Sequence, residues 1–174
     1  MTIRVFPVAN VPGVHFSDDF GNVRPEGRGH AGIDIFAPLG TPALAVDDGT
    51  VRYEIDPIGG LSYYLHAKDG TTYYGTHLSR VEGGARTVKA GDVIGYVGND
   101  GNAKGTPFHL HFEEHPQGGK GSADPFVELS QAPRRAASGG TGTMVLKGVL
   151  LLGGIGAAWW WYTRGGGDRV IARL

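Results

Sequence analysis

Apolar and polar side chains alternate through several short stretches of the chain, most clearly at residues 107–113, Pro-Phe-His-Leu-His-Phe-Glu. A period of two predicts a β-strand with the apolar residues on one face. The opposite face then carries His109, His111 and Glu113. Two imidazoles side by side on one strand face indicate either a divalent-metal site or an acid–base pair. An ordinary strand with two surface histidines is the alternative.

Short alternating runs elsewhere predict further strands joined by tight turns. Residues 43–55 predict one hairpin that turns at residues 47–50, and residues 61–76 predict a second that turns at residues 68–70. No stretch before residue 130 has convincing helical periodicity. The pattern therefore predicts an all-β domain, built as a Gly-rich antiparallel sheet or an open, barrel-like sandwich with an active-site groove.

The composition agrees with a turn-rich β domain. Glycine contributes 31 of the 174 residues, well above its usual share of about 7%, which favours tight turns over helices. The formal net charge of −1 provides no basic field, so no nucleic-acid partner is expected. The chain has no cysteine, which excludes disulfides and thiolate metal ligands and leaves the redox compartment open.

Two further segments add polar side chains that suit a metal ion. In residues 27–35, Gly-Arg-Gly-His-Ala-Gly-Ile-Asp-Ile, the glycines predict a loop entering a strand rather than a helix. His30 and Asp34 then share one strand face. His77 follows two tyrosines in residues 73–79. Together with the histidines of residues 107–113, these side chains provide imidazole nitrogens and one carboxylate, a donor set that suits zinc.

These segments resemble the zinc metallopeptidases of the lysostaphin and LytM type, family M23. The resemblance rests on the order and spacing of H-x-x-x-D, a tyrosine–histidine turn, and H-x-H followed by Phe and an acidic residue. The phrases at residues 37–42 and 88–95 are also typical of the family, and the resemblance covers residues 27–125.

The resemblance implies that His30, Asp34 and His111 hold zinc. It also implies that His77 and His109 flank the metal as catalytic bases or transition-state stabilisers. The expected activity is that of a zinc-dependent endopeptidase, which hydrolyses peptide bonds in bacterial peptidoglycan and has a peptidoglycan peptide as its partner. Zinc with three protein ligands keeps an open position for water and lowers the pKa of that water toward about 7.

Two positions depart from the family pattern. Two residues, rather than one, separate Tyr74 from His77, and residues 22–26 before the first histidine contain no tyrosine. An oxyanion-stabilising tyrosine therefore has no assignment from the sequence. The family often carries a histidine at the position of His66 without using it as a ligand, so we expect His66 to be structural.

The composition changes after residue 129, which sets the predicted domain boundaries. Residues 1–129 are predicted to form the peptidase domain, and residues 130–143, which are small and polar, a flexible linker. Residues 144–162 form an apolar run that ends in three tryptophans and a tyrosine. As a helix it spans about 28 Å, close to the ~30 Å hydrocarbon core of a bilayer. We predict a hydrophobic transmembrane helix there, followed by a basic tail at residues 163–174; a helix docked on the domain is the alternative.

Residues 1–8 lack the features of a signal peptide. The expected location is a membrane, anchored by the C-terminal segment, either in the bacterial envelope or in a phage virion that carries a wall-degrading protein. Virion or envelope proteins are then expected partners. Two other functions compete: an inactive wall-binding module, and a structural, membrane-anchored protein with the same fold. All five polar positions of the family pattern are present, which weighs against loss of catalysis.

Overall fold

The computed structural model describes residues 3–25, 27–117 and 121–136. All of them lie in the first of two units of the chain, Met1–Thr141. Within the described residues, no helix combines the length and the apolarity that a membrane span requires. The predicted membrane helix and basic tail, residues 144–174, fall outside the described residues, so both stay predictions.

The described residues form nine β-strands, one short 3-10 helix and one α-helix. The strands are β1 (Ile33–Phe36), β2 (Pro42–Leu44), β3 (Gly49–Asp56), β4 (Gly60–Ala67), β5 (Thr72–Thr76), β6 (Leu78–Val81), β7 (Arg86–Val88), β8 (Val93–Val97) and β9 (His109–His115). The 3-10 helix is Gly101–Ala103, and the α-helix, α1, is Phe126–Gln131. Even the longest strands, β3 and β4, have only eight residues, so the sheets consist of short segments joined by turns.

The strands form two antiparallel sheets. One sheet has six strands in the order β1–β9–β5–β4–β3–β7, and the other has three in the order β2–β8–β6. This architecture confirms the predicted all-β, antiparallel fold. The predicted hairpin at residues 61–76 is confirmed as well, because β4 pairs directly with β5.

The predicted hairpin at residues 43–55 is wrong. β2 pairs with β8 in the small sheet, whereas β3 pairs with β4 and β7 in the large sheet. Asp48, which lies between the two strands, binds a distant loop: it accepts hydrogen bonds from the backbone N–H of Ala90 at 3.0 Å and from Nζ of Lys89 at 2.9 Å. The chain therefore passes from one sheet to the other at this bend. The contacts that stabilise the bend are tertiary, so the alternation of apolar and polar residues does not predict them.

The apolar face of β9 fills the core beneath the groove. Leu110 and Phe112 are fully buried and belong to the same core cluster as Ile33 and Ile35 of β1. Full burial of each such side chain contributes about 1.5–3 kcal/mol relative to exposure. Because side chains alternate across a strand, the register that buries these residues turns the polar residues of β1 and β9 to the opposite face.

The first part of the predicted linker packs against the domain. α1 extends two residues past residue 129, the predicted end of the domain. The backbone N–H of Phe6 donates to the carbonyl oxygen of Pro133 at 3.0 Å, and the guanidinium of Arg134 lies 4.1 Å from the centre of the Phe6 ring. The small, polar composition of this segment predicts a flexible linker, because composition alone does not indicate tertiary contacts such as these. Residues 137–143 of the predicted linker lie outside the described residues.

Gly75 of β5 is required by the packing of a buried ring. It lies opposite Tyr63 of β4, and a Cβ added to Gly75 would overlap the ring of Tyr63. Tyr63 is fully buried, so its ring has little room to move aside. Gly75→Ala should therefore lower the free energy of unfolding by about 1–3 kcal/mol, as measured by urea denaturation.

The matched control is Gly84→Ala, at an exposed bend where an added Cβ meets nothing within 4 Å. This variant should change the free energy of unfolding by less than about 0.5 kcal/mol. Equal losses of stability in the two variants would contradict the packing role of Gly75.

Candidate active site

The pairing of β1 with β9 brings two of the predicted site residues together. Asp34 lies directly opposite His111 in the antiparallel register. His30, just before β1, joins them because the preceding loop folds back on itself. The backbone N–H of Gly21 donates to the carbonyl oxygen of His30 at 2.8 Å, and the N–H of His30 donates to the carbonyl oxygen of Asn22 at 2.9 Å.

The donor atoms of His30, Asp34 and His111 form a compact triangle. Nε2 of His30 lies 2.8 Å from Nδ1 of His111 and 3.1 Å from Oδ1 of Asp34. The third edge, from Nδ1 of His111 to Oδ1 of Asp34, is 3.0 Å. In a tetrahedral zinc site with bonds of about 2.0–2.1 Å, ligand atoms are about 3.3 Å apart. Within the part of the chain that the structure describes, these three residues form a group able to hold a metal ion.

Hydrogen bonds on the outer side of the two rings leave the inner nitrogens free to bind a cation. Nδ1 of His30 donates to the carbonyl oxygen of Asp19 at 3.0 Å, and Nε2 of His111 donates to Oε1 of Glu113 at 2.8 Å. A carbonyl or carboxylate oxygen only accepts, so the outer nitrogen of each ring carries the proton. Contacts of this kind commonly orient the histidines that bind metals in proteins.

His77 and His109 lie beside this triangle. Their ring centroids are 4.9 Å apart, and Nε2 of His109 lies 3.9 Å from Oδ1 of Asp34. Nδ1 of His109 donates to the carbonyl oxygen of Pro107 at 2.8 Å. Nδ1 of His77 lies 2.9 Å from each of two backbone carbonyl oxygens. In the neutral rings, Nε2 therefore lacks the proton and can accept one.

His77 adopts a strained backbone conformation between β5, which ends at Thr76, and β6, which begins at Leu78. Its φ is 66°, and among the described residues it is the only non-glycine residue with a positive φ. This conformation costs on the order of 1–3 kcal/mol. The N–H of His77 donates to the carbonyl oxygen of Gly59 at 3.3 Å, and its carbonyl oxygen accepts from the N–H of Asp100 at 3.4 Å. Contacts with two neighbouring loops thus hold the bend that positions the ring.

Burial and neighbouring charges set the ionisation of the site. Burial disfavours the ionised form of Asp34, but the contacts with His111 and His30 outweigh burial and hold the pKa of Asp34 far below its usual range. Burial, reinforced by the neighbouring His109, lowers the pKa of His77 to about 4. His77 is therefore neutral at pH 7, which is the state that accepts a proton.

All five predicted site residues line one cavity of about 740 Å³. A volume of this size lies in the range of ordinary ligand sites. Further polar and aromatic residues contribute to its walls, among them Arg24, Arg28, Tyr64, Tyr74, Glu113 and His115. Tyr74 therefore lines the groove, although no tyrosine precedes His30 in the sequence. The hydroxyl of Tyr74 lies 3.2 Å from that of buried Ser62.

His66 lies outside this cavity, in agreement with its expected structural role. It is exposed on β4, where Nδ1 lies 2.9 Å from Oγ1 of Thr72. Nε of Arg52 donates to its Nε2 at 3.1 Å. Both contacts join neighbouring strands on the surface, so the ring supports the sheet rather than the site.

The sequence pattern indicates no role for three polar residues that contact the triangle, Asp19, Arg24 and Glu113. A role for Glu113 could have been found, because it shares the predicted polar face of β9 with His111. Its Oε2 also accepts a hydrogen bond from Nε2 of His115 at 2.7 Å. Asp19 and Arg24 lie in a loop without periodicity, so nothing in the sequence pattern indicates their contacts with the site.

The fold and the site define a class of protein: a two-sheet β domain whose groove contains a histidine–aspartate group able to bind a metal ion. The model of peptidase family M23 matches residues 28–125, more than half of the chain. The chain therefore belongs to peptidase family M23.

Two curated relatives and one solved structure illustrate the similarity. DD-carboxypeptidase/endopeptidase Mpg of Neisseria meningitidis serogroup B is 36% identical over 115 residues, which cover 63% of this chain and 26% of Mpg. Peptidoglycan DD-endopeptidase ShyC of Vibrio cholerae is 39% identical over 90 residues, which cover 49% of this chain and 20% of ShyC. The catalytic domain of the antimicrobial peptidase lysostaphin from Staphylococcus simulans superposes with a TM-score of 0.60 and 28% identity, over 67% of this chain and 92% of that domain. The chain thus spans about a quarter or less of the length of these two curated relatives.

Proposed function

We propose that this chain is a zinc-dependent endopeptidase that hydrolyses peptide bonds in bacterial peptidoglycan. The observation that carries the proposal is a triangle of converging donor atoms beside two histidines whose Nε2 atoms can accept protons. Membership of peptidase family M23 supports the reaction class. The name of ShyC, a peptidoglycan DD-endopeptidase, supports the substrate class.

The donor set fits zinc. His30, Asp34 and His111 would hold the ion through Nε2, Oδ1 and Nδ1, respectively. Two imidazole nitrogens and one carboxylate suit zinc, whereas calcium and magnesium prefer oxygen ligands. Bound zinc supplies a Lewis acid that lowers the pKa of a water molecule and polarises the carbonyl group of the scissile peptide.

His77 and His109 supply the proton-transfer groups. When a ring is in its neutral form, its Nε2 can accept a proton from the attacking water. Nε2 of His109 lies 3.9 Å from the carboxylate of Asp34. Once protonated, the same N–H can donate to the developing oxyanion or deliver its proton to the leaving nitrogen. The backbone carbonyls that bind the two Nδ1 atoms keep both rings in this orientation.

An inactive wall-binding module and a structural, membrane-anchored protein are the competing functions. Loss of a metal donor or of a base would be the expected mark of either. All five side chains are present and line the same cavity, which favours a catalyst.

The proposed ligand assignment determines which variants should lose the metal. Asp34→Ala and His111→Ala each remove a donor atom, so both should lose stoichiometric zinc, as measured by elemental analysis after dialysis. His109→Ala removes no donor and should keep most of its zinc. An empty site in His109→Ala together with a full site in His111→Ala would reverse the assignment.

The proposed bases determine which variants should lose activity. His77→Ala and His109→Ala should still bind zinc, yet release soluble muropeptides from purified peptidoglycan at a rate lower by about 10²-fold or more, the usual contribution of a positioned acid or base. The measurement is chromatographic analysis of the muropeptides.

The matched control is His66→Ala, which removes an exposed histidine outside the cavity and should retain activity. Equal losses in His66→Ala and His77→Ala would refute the role of His77. A zinc-loaded wild-type chain that releases no muropeptides would refute the proposed function.

We also propose that residues 144–162 anchor the protein in a membrane, either of the bacterial envelope or of a virion, with proteins of that membrane as partners. The support comes from the sequence. The run is apolar and long enough to cross the hydrocarbon core, and it ends in a cluster of tryptophan and tyrosine residues typical of a membrane interface.

The anchor predicts that the full chain stays in the membrane pellet after alkaline carbonate extraction. Leu152→Arg places a charge near the centre of the run, at a cost of about 2.5–3.5 kcal/mol, and should move much of the protein to the supernatant. The matched variant Leu152→Phe keeps the position apolar and should stay in the pellet. A wild-type chain recovered as a monomer without detergent would contradict the anchor.

A further inference from the structure

The loop before β1 places two charged residues, Asp19 and Arg24, beside the donor triangle. Nη2 of Arg24 donates to Oδ2 of Asp34 at 2.6 Å and to Oδ2 of Asp19 at 3.3 Å. The same carboxylate oxygen of Asp19 lies 3.2 Å from Nδ1 of His30. The other oxygen, Oδ1, accepts from the backbone N–H of Asp34 at 3.3 Å. Asp19 and Arg24 therefore contact two of the three residues in the triangle.

We propose that Asp19 and Arg24 form a clamp that limits Asp34 to one metal-binding oxygen and fixes the ring of His30. This inference rests on the proposed zinc site. In this clamp both are positioning residues, because they act through Asp34 and His30.

The two oxygens of Asp34 have different partners. Oδ1 faces Nε2 of His30 at 3.1 Å and Nδ1 of His111 at 3.0 Å, whereas Oδ2 binds Arg24. A hydrogen bond between a guanidinium and a carboxylate is shorter and stronger than one between neutral groups, so it competes with metal binding by Oδ2. A carboxylate that bound through both oxygens would occupy space that a catalytic zinc site keeps for water and substrate.

Asp19 links the two halves of the clamp. Its carboxylate lies between Arg24 and the His30 ring, and its own carbonyl oxygen also accepts from Nδ1 of His30 at 3.0 Å. The side chain of Asp19 is 19% exposed and that of Arg24 is 35% exposed, so water reaches these contacts only in part. The ring of His30 is thereby held with Nε2 toward Asp34 and His111.

The test compares the full-length wild type with Arg24→Gln after replacement of the bound metal by Co²⁺. Loss of the clamp should weaken the apparent Co²⁺ affinity by about 10–100-fold, the usual effect of removing a group that orients a metal ligand; the measurement is competition with a chromogenic chelator. Release of Oδ2 should also raise the coordination number, which lowers the intensity of the visible d–d absorption of Co²⁺.

Two further variants separate positioning from folding. Arg24→Lys keeps the charge but loses the planar fork, so it should restore part of the affinity and absorption. The matched control is Arg80→Gln, which removes an exposed arginine paired with Glu82 at 3.4 Å and should leave both readouts unchanged. The metal-free forms of the three variants and the wild type are compared by thermal unfolding, so that loss of fold is distinguished from loss of positioning.

The outcomes separate the clamp from the proposed function. If Arg24→Gln folds and its Co²⁺ affinity and absorption are unchanged, the clamp is overturned. The clamp is also overturned if Arg24→Gln is unfolded while Arg24→Lys is folded and has the Co²⁺ affinity and absorption of the wild type. A wild-type chain that binds no Co²⁺ would overturn both the clamp and the proposed enzyme. A wild-type chain that binds Co²⁺ normally but leaves peptidoglycan intact with zinc would overturn the enzyme alone.

Discussion

The antiparallel register between β1 and β9 is the constraint on which the rest of this site depends. It places Asp34 opposite His111, and it also buries Ile33 and Leu110 in the core. A slip of one residue would turn the carboxylate toward the core and an isoleucine toward the groove. The hydrophobic burial that stabilises the fold therefore also stabilises the alignment of the two donor residues.

Backbone carbonyl oxygens orient most of the imidazoles in the groove. Those of His30, His77 and His109 each direct Nδ1 to a carbonyl oxygen, which leaves Nε2 as the atom that can bind or accept. His111 reverses this arrangement, because Glu113 binds its Nε2 and Nδ1 faces the triangle. The division between metal donors and bases thus depends on the path of the backbone as well as on the side chains present.

Local patterns predicted the strand that carries His109 and His111, and they predicted the hairpin of β4 and β5, because both depend on near neighbours in the sequence. The prediction of a hairpin at residues 43–55 is wrong because β2 pairs with β8, which is distant in the chain. Arg24 shows a second limit of sequence patterns. Its contact with Asp34 is a tertiary contact made from an irregular loop, and neither alternation nor composition encodes it. The family resemblance supplied the grouping of His30, Asp34 and His111, which the fold then brought within contact distance.

We propose that the register of β1 and β9 assembles a zinc site from His30, Asp34 and His111. The most direct measurement is an anomalous difference map from a crystal of the zinc-loaded protein, with data collected above and below the zinc absorption edge. One strong peak is expected within about 2.0–2.2 Å of Nε2 of His30, Oδ1 of Asp34 and Nδ1 of His111. A peak coordinated by His77 and His109 instead, or no peak within this triangle, would contradict the proposed zinc site.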